Sequence, residues 1–401
     1  MGKHIGKSVK RVEDPRFIQG QGKYVANLKL PNMAHVAVLR SPHAHAKIKS
    51  INTDAAKAID GVIDVFIGQD LIDGGVGKMP VIWQVPDNKI PDRWPLVPDK
   101  VRHVGDSVAA VVAEDPYIAT DALELIEVDY EVLEATVGAK ATTEDGKPLV
   151  HDEIENNISF KWGLGDREAC DKAFEEADHV VKLDLINQRM IANAMEPRAC
   201  AAQWTAATED MTVWTTSQNP HIIRFGLSAV TLPMLDEHKL RVISPDVGGG
   251  FGSKIFHYPE EVIVPWIARK INRPCKWVAT RSESFMTDSQ GRDHVQNCKL
   301  ALKSDGTITG LYAELHADMG AYLSSIAPLI PTVICITLFS GLYKNPGIWG
   351  ETTGTLTNTV PVDAYRGAGR PEASYLVERL VDVAAQELKM DPIEIRRKNF
   401  I

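Results

Sequence analysis

The run Ser107-Val-Ala-Ala-Val-Val-Ala113 leads straight into Asp115-Pro116, and this junction constrains the chain more than any other short segment. The apolar, β-branched run reads as a strand. Asp-Pro is a strong helix start, with Asp as the cap and Pro in the first turn. Residues 117–126 then read as the helix, and Glu127-Val-Asp-Tyr-Glu-Val-Leu133 as a second strand. Strand, helix and strand within this span suggest a βαβ unit.

Similar runs at 34–39 and 61–67, bounded by Pro, Gly or Asp, extend the mixed pattern over residues 15–135. Residues 136–157 intersperse Gly, Lys, Asp and Glu with few large apolar side chains, so the domain boundary is expected there. Beyond it, strands are expected at 182–186, 212–215 and 240–243. A helix is expected at 259–270, from the spacing of Val262, Val264, Ile267 and Ala268. Residues 298–315 read as a hairpin turning at Ser304-Asp-Gly306. A long helix at 372–389 carries a one-sided stripe that includes Leu376, Leu380, Val383 and Ala384. Asp391-Pro392 starts another capped helix, and the chain stops on Phe400-Ile401. An apolar ending suggests a surface that meets another chain.

With 401 residues the chain has room for two or three domains, each with its own core. Hydrophobic residues at 44% and charged residues at 24% match a soluble globular protein. The net charge of −9 is spread along the chain, which favours solubility and argues against nucleic acid as a partner. The amino terminus has basic residues but no apolar core after them, and no Ser or Thr at the sixth position. It therefore reads as neither a secretory signal nor a myristoylation site. The most apolar stretch, 326–339, is broken by Pro328 and Pro331 and is too short to span a bilayer. A buried loop-strand is expected there, in a soluble, cytoplasmic protein.

The five cysteines show no C-x-x-C spacing, so no iron–sulfur or zinc site is expected on this chain. Buried small hydrophobes are the expectation. His43 and His45 are the only close histidine pair, a poor metal site without a third ligand. There is no G-x-S-x-G elbow.

Three segments hold groups suited to a ligand. Gly248-Gly249-Gly250-Phe251-Gly252-Ser253-Lys254 can bring several N–H groups to one anionic centre. Its spacing fits neither a dinucleotide fingerprint nor a P-loop, and a tight turn is the other reading. Ser217-Gln218-Asn219-Pro220-His221 puts a carboxamide after a strand, where it could donate to an oxo or carbonyl oxygen; an ordinary polar loop is the alternative. Asp363-Ala364-Tyr365-Arg366-Gly367-Ala368-Gly369-Arg370 sets two arginines before a helix, suiting either anion recognition or a solvated helix start.

These segments also form an ordered series. It runs through Arg40-Ser-Pro-His43-Ala-His45, Val104-Gly-Asp-Ser-Val, Met195-Glu196-Pro197-Arg198 and Thr216-Ser-Gln218-Asn-Pro-His221. It continues through Val247-Gly-Gly-Gly-Phe-Gly-Ser-Lys254, Gly291-Arg-Asp-His294 and Ala364-Tyr-Arg-Gly-Ala-Gly-Arg-Pro371. In this order the chain resembles the amino-terminal half of the large, molybdopterin-binding subunit of xanthine dehydrogenase/aldehyde oxidase-type molybdenum hydroxylases. That family includes aerobic carbon monoxide dehydrogenase.

The resemblance implies an α+β fold, with an α/β hammerhead domain over 1–135, a connector over 136–157 and the first molybdopterin-binding domain over 158–401. The second molybdopterin-binding domain would lie outside the chain. It implies catalytic roles for Gln218 and Phe251. It implies cofactor contacts from Gln218, Gly249, Gly250, Phe251, Gly252, Arg366 and Gly367, with no side chain ligating the metal. Gln218 would hydrogen-bond an oxygen ligand of molybdenum, and the loop arginine would be Arg366. The expected cofactor is molybdenum-molybdopterin in its cytosine dinucleotide form. The expected partners are an iron–sulfur (2Fe-2S) subunit, an FAD subunit and a second molybdopterin-binding chain carrying the glutamate general base. Some relatives, such as nicotinate dehydrogenase, split the large subunit at about this point.

The implied reaction oxidises an aldehyde or N-heterocycle with water-derived oxygen, electrons leaving through the partner subunits. Where true carbon monoxide dehydrogenases have a copper-binding cysteine, this chain has Gly367, so carbon monoxide oxidation is not expected. Segment 320–331 and Tyr365 are candidates for contacting substrate. A truncated, non-catalytic homologue that binds a cofactor or partner is the competing reading.

Overall fold

The computed structural model describes residues 4–401, so the part of the amino-terminal reading that falls on residues 1–3 lies outside the described residues. The described residues form three sheets with helices packed on them. The largest has seven strands, in the order Leu240–Ile243, Asp210–Thr215, Ala199–Thr205, Cys275–Val278, Ala34–Arg40, Ser107–Ala113, Val62–Ile67. Every residue of Ser107–Ala113 is buried, as a central strand made of small apolar residues must be.

That sheet crosses the connector. Ala34 pairs in parallel with Cys275, and Ala34 N–H donates to the Pro274 carbonyl at 2.7 Å. Ala34, Val36 and Val38 share a core with Met211, Val213, Ile263 and Trp277. The two sequence segments are therefore welded by one sheet and one core.

The βαβ expectation is corrected in topology. Strand Ser107–Ala113, capped helix Pro116–Leu123 and strand Glu127–Val132 do follow one another, and Asp115 caps through Tyr117 N–H at 2.8 Å. The two strands nevertheless enter different sheets. Ser107–Ala113 pairs antiparallel with both of its neighbours, while Glu127–Val132 joins a three-stranded sheet beside Ala46–Asn52. The charged, alternating Glu127–Val132 segment, exposed at most positions, suits an outer sheet better than a buried parallel one.

The five-stranded sheet runs Ile158–Gly165, Gly347–Thr355, Ile308–Asp318, His294–Leu302, His179–Asn187. Its centre is the expected hairpin, with His294–Leu302 antiparallel to Ile308–Asp318. Helix Arg370–Glu387 buries Leu376, Leu380 and Ala384 in the core of this sheet, and helix Pro392–Asn399 follows with Asp391 as its cap. Phe400 stacks on Tyr343, while Ile401 is exposed.

Two further expectations change. Segment 326–339 is buried for most of its length, but it forms helical turns at Ala327–Leu329 and Ile330–Ile334 instead of a strand. Pro328 and Pro331 lack the N–H a ladder needs, yet fit the first turn of a helix. Helix Glu260–Lys270 is buried on all sides, beyond the stripe its spacing suggested, and it carries Glu260 and Glu261 into the interior. All five cysteines are free and buried. Among the described residues no helix is long and apolar enough to cross a membrane.

Candidate cofactor site

Three loops meet at the carboxyl ends of strands. Residues 216–219 follow Asp210–Thr215, residues 244–254 follow Leu240–Ile243, and residues 363–369 precede helix Arg370–Glu387. The first strand and the second are parallel neighbours, so their following loops emerge side by side.

Gln218 joins the first two loops. Its N–H donates to the Lys254 carbonyl at 2.8 Å, and its Oε1 accepts from Gly252 N–H at 3.0 Å. A backbone donor on Oε1 fixes the amide orientation and leaves Nε2, on an exposed side chain, without an acceptor among the described residues. The second and third loops join through Arg366 N–H, which donates to the Phe251 carbonyl at 2.7 Å.

Small residues are required at these crossings. A Cβ on Gly250 would sit inside the contact radius of Gln218 Oε1, and one on Gly252 would collide with the Ala364 carbonyl. Gly252 also has φ +113°, a conformation that side chains disfavour. Between them, Phe251 is held at φ 55°, an uncommon conformation for a bulky residue, and the residue is 44% exposed. Gly249 is part-buried, while Arg366 and Gly367 are exposed. The guanidinium of Arg366 makes no hydrogen bond to the described residues. Gln218, Gly249, Gly250, Phe251, Gly252, Arg366 and Gly367 thus come together in space.

Sequence reasoning gave no role to the side chains that brace these loops. Arg292 donates to the Tyr365 carbonyl at 3.1 Å and the Arg366 carbonyl at 2.8 Å, and pairs with buried Glu372 at 3.1 Å. Asp363 accepts from Ile326 N–H at 3.1 Å and Ala364 N–H at 2.7 Å, tying the 363–369 loop to segment 320–331. Burial raises the Asp363 carboxyl to about 7, against backbone and Ser324 donors that pull it down. Beneath the glycine loop, Arg198 pairs with Glu260 and Asp288, each at 2.6 Å. Burial opposes its charge, but these carboxylates hold its pKa well above the ordinary value. Met195-Glu196-Pro197-Arg198 and Gly291-Arg292 were visible as motifs; their partners are remote in sequence.

His43 and His45 form no site: His45 Nδ1 is 2.8 Å from the Glu134 carbonyl, and His43 packs edge-on to Tyr130. Among the described residues no three His, Cys, Asp or Glu side chains converge as a metal site.

The surface made by these loops combines glycine-rich backbone with a carboxamide Nε2 and a guanidinium that have no hydrogen-bond partner among the described residues. Such a donor set suits an anionic, oxygen-rich group approaching over glycine. The cradle therefore fits a molybdopterin-type cofactor held by second-sphere donors.

Comparison with known proteins agrees with this chemistry. Residues 19–134 match the family model for the aldehyde oxidase and xanthine dehydrogenase a/b hammerhead domain, and residues 150–400 match the molybdopterin cofactor-binding domain. The carbon monoxide dehydrogenase large chain of Hydrogenophaga pseudoflava is 36% identical over 97% of this chain and 49% of its own length. The crystal structure of quinoline 2-oxidoreductase from Pseudomonas putida 86 superposes with a TM-score of 0.93 at 34% identity, covering 99% of this chain and 50% of that one. The chain thus spans about half the length of these relatives. The nicotinate dehydrogenase large molybdopterin subunit of Eubacterium barkeri differs: it is 31% identical over 98% of this chain and 89% of its own length.

Proposed function

Because the chain belongs to the molybdopterin-binding large-subunit family of the xanthine dehydrogenase/aldehyde oxidase-type molybdenum hydroxylases, we propose that it supplies one wall of such an enzyme's cofactor site. The enzyme would oxidise an aldehyde or N-heterocycle. When bound, the molybdenum–molybdopterin group supplies two-electron oxidation of a carbon centre with oxygen drawn from water.

The observation that carries this reading is the convergence of three exposed residues, Gln218, Phe251 and Arg366, around the buried glycines Gly250 and Gly252. Gln218 Nε2 donates toward an oxygen of the cofactor, at a place where negative charge develops. Gly250 and Gly252 let backbone approach it closely, and Phe251 screens it from water. Arg366 offsets its anionic charge, with Gly367 keeping the adjoining backbone open. Gln218 and Phe251 are the proposed catalytic contacts, and Gly249 joins the proposed cofactor contacts. The cytosine dinucleotide form is proposed for the cofactor. A second molybdopterin-binding chain with the general base, a 2Fe-2S subunit and an FAD subunit are proposed as partners. Gly367 offers no thiolate for copper, so carbon monoxide is not the proposed substrate.

The test is molybdenum and pterin analysis of this chain expressed alone and then together with the chains encoded beside it. Both in the co-expressed complex support the reading; neither metal nor pterin in any preparation overturns it.

A further inference from the structure

Two side chains close the glycine loop into a ring, and the proposed function leaves both without a task. Glu196 Oε2 accepts from Gly248 N–H at 2.7 Å, and Glu196 N–H donates to the Gly248 carbonyl at 3.1 Å. At the loop's other end, Lys254 Nζ donates to the Glu196 carbonyl at 2.7 Å and to Oε2 at 3.0 Å. The Lys254 side chain is 1% exposed and that of Glu196 13%.

Lys254 also reaches Gln218 from behind. Its carbonyl accepts from Gln218 N–H at 2.8 Å and from Ser217 Oγ at 3.3 Å. One ion pair therefore sets both ends of the loop and the backbone of the residue that donates from its centre. A Cβ on Gly248 would stand 2.6 Å from Glu196 Cβ, so the contact leaves no slack. Burial lowers the Lys254 pKa, and the Glu196 carboxylate offsets part of that. A buried ammonium held this way is a fixed strut, unlike a solvated lysine.

We propose that Glu196 and Lys254 are positioning residues that aim the Gln218 carboxamide at the cofactor. Groups behind a ligand commonly orient the groups that touch it. The inference rests on the reading of Gln218 given above. A purely structural pair would instead hold the loop together without affecting how Gln218 donates.

The test uses Glu196→Gln, nearly isosteric but uncharged, and Lys254→Met, each in the chain co-expressed with its partner chains. Molybdenum content, the electron paramagnetic resonance signal of the dithionite-reduced complex and amide hydrogen exchange over residues 248–254 are measured. Turnover of benzaldehyde and quinoline is followed with ferricyanide as acceptor. The expectation is unchanged molybdenum content with an altered resonance signal and faster exchange at Gly252. The kcat for a probe that is oxidised falls about 10- to 100-fold while KM holds.

An unchanged resonance signal and kcat at full molybdenum content overturns the proposal. So does a loss of kcat only in proportion to lost molybdenum, or failure of both variants to fold; if Lys254→Met alone fails, Glu196→Gln decides. A wild-type complex without molybdenum overturns the functional reading instead, and exchange at Gly252 then decides the positioning claim: faster in Glu196→Gln supports it, unchanged refutes it.

Discussion

The guanidinium of Arg292 donates to the backbone carbonyl of Arg366 at 2.8 Å, so one arginine, buried against Glu372, sets the path of the loop that presents another to solvent. The inner cation is neutralised by Glu372, whose side chain is fully buried. The outer one makes no side-chain hydrogen bond to the described residues, as its proposed contact with the cofactor requires.

Replacing Arg292 with Met strands the Glu372 carboxylate in the interior. Breaking one partner of such a pair costs about 3–5 kcal/mol, read as a lower urea midpoint. Arg292→Met with Glu372→Leu should recover part of that loss while amide exchange over residues 363–369 stays faster than in the parent chain. Equal stability of Arg292→Met and the parent chain would refute the account.

Gly250→Ala inserts a methyl against Gln218 Oε1. The methyl forces the glycine loop and the glutamine apart and reshapes the surface on which the cofactor would sit, so cofactor loading should fall while circular dichroism of the chain stays the same. Overpacking of this kind costs about 1–3 kcal/mol. Full loading in Gly250→Ala would show that the close approach is unimportant.

Gln218→Ala removes the free Nε2 donor but leaves the glycine loop its Glu196 and Lys254 anchors. A preorganised donor of this sort is worth about 100-fold or more in kcat. Molybdenum content should hold while turnover of whichever probe substrate the parent complex oxidises collapses. Parent-level turnover would remove Gln218 from the proposed site.

Asp363 gives a pH prediction. Burial raises its pKa to about 7, whereas the ordinary value is 3.8. Between these values the folded chain keeps a proton that the unfolded chain has released, so stability declines as pH rises through that window and levels off above it. Asp363→Asn removes the decline. Urea midpoints between pH 5 and pH 8 should fall more steeply for the parent than for Asp363→Asn, after both are referred to pH 5. Parallel profiles would refute a raised carboxyl.

Much of the local structure was legible because its causes are local. Asp115 and Asp391 cap helices with their own side chains, and Ser304-Asp-Gly306 turns a hairpin by its own backbone. The 326–339 segment was misread because apolar composition alone does not separate a strand from helical turns, although Pro328 and Pro331 favoured the latter. Glu127–Val132 was rightly read as a strand, but its sheet was not foreseen, since pairing partners lie far away in sequence.

The sequence by itself determined the helix caps, the hairpin turn and most strands, that the cysteines lack C-x-x-C spacing, and which glycines and polar residues occur in an order shared with one family. Only the tertiary structure decided that Ala34 pairs beside Cys275, that Gln218 meets Gly252, and that Arg198 is neutralised by Glu260 and Asp288. Capping and turn formation depend on neighbours a few bonds apart. Sheet order and buried charge pairing depend on which distant surfaces exclude water together, and a linear pattern does not encode that directly.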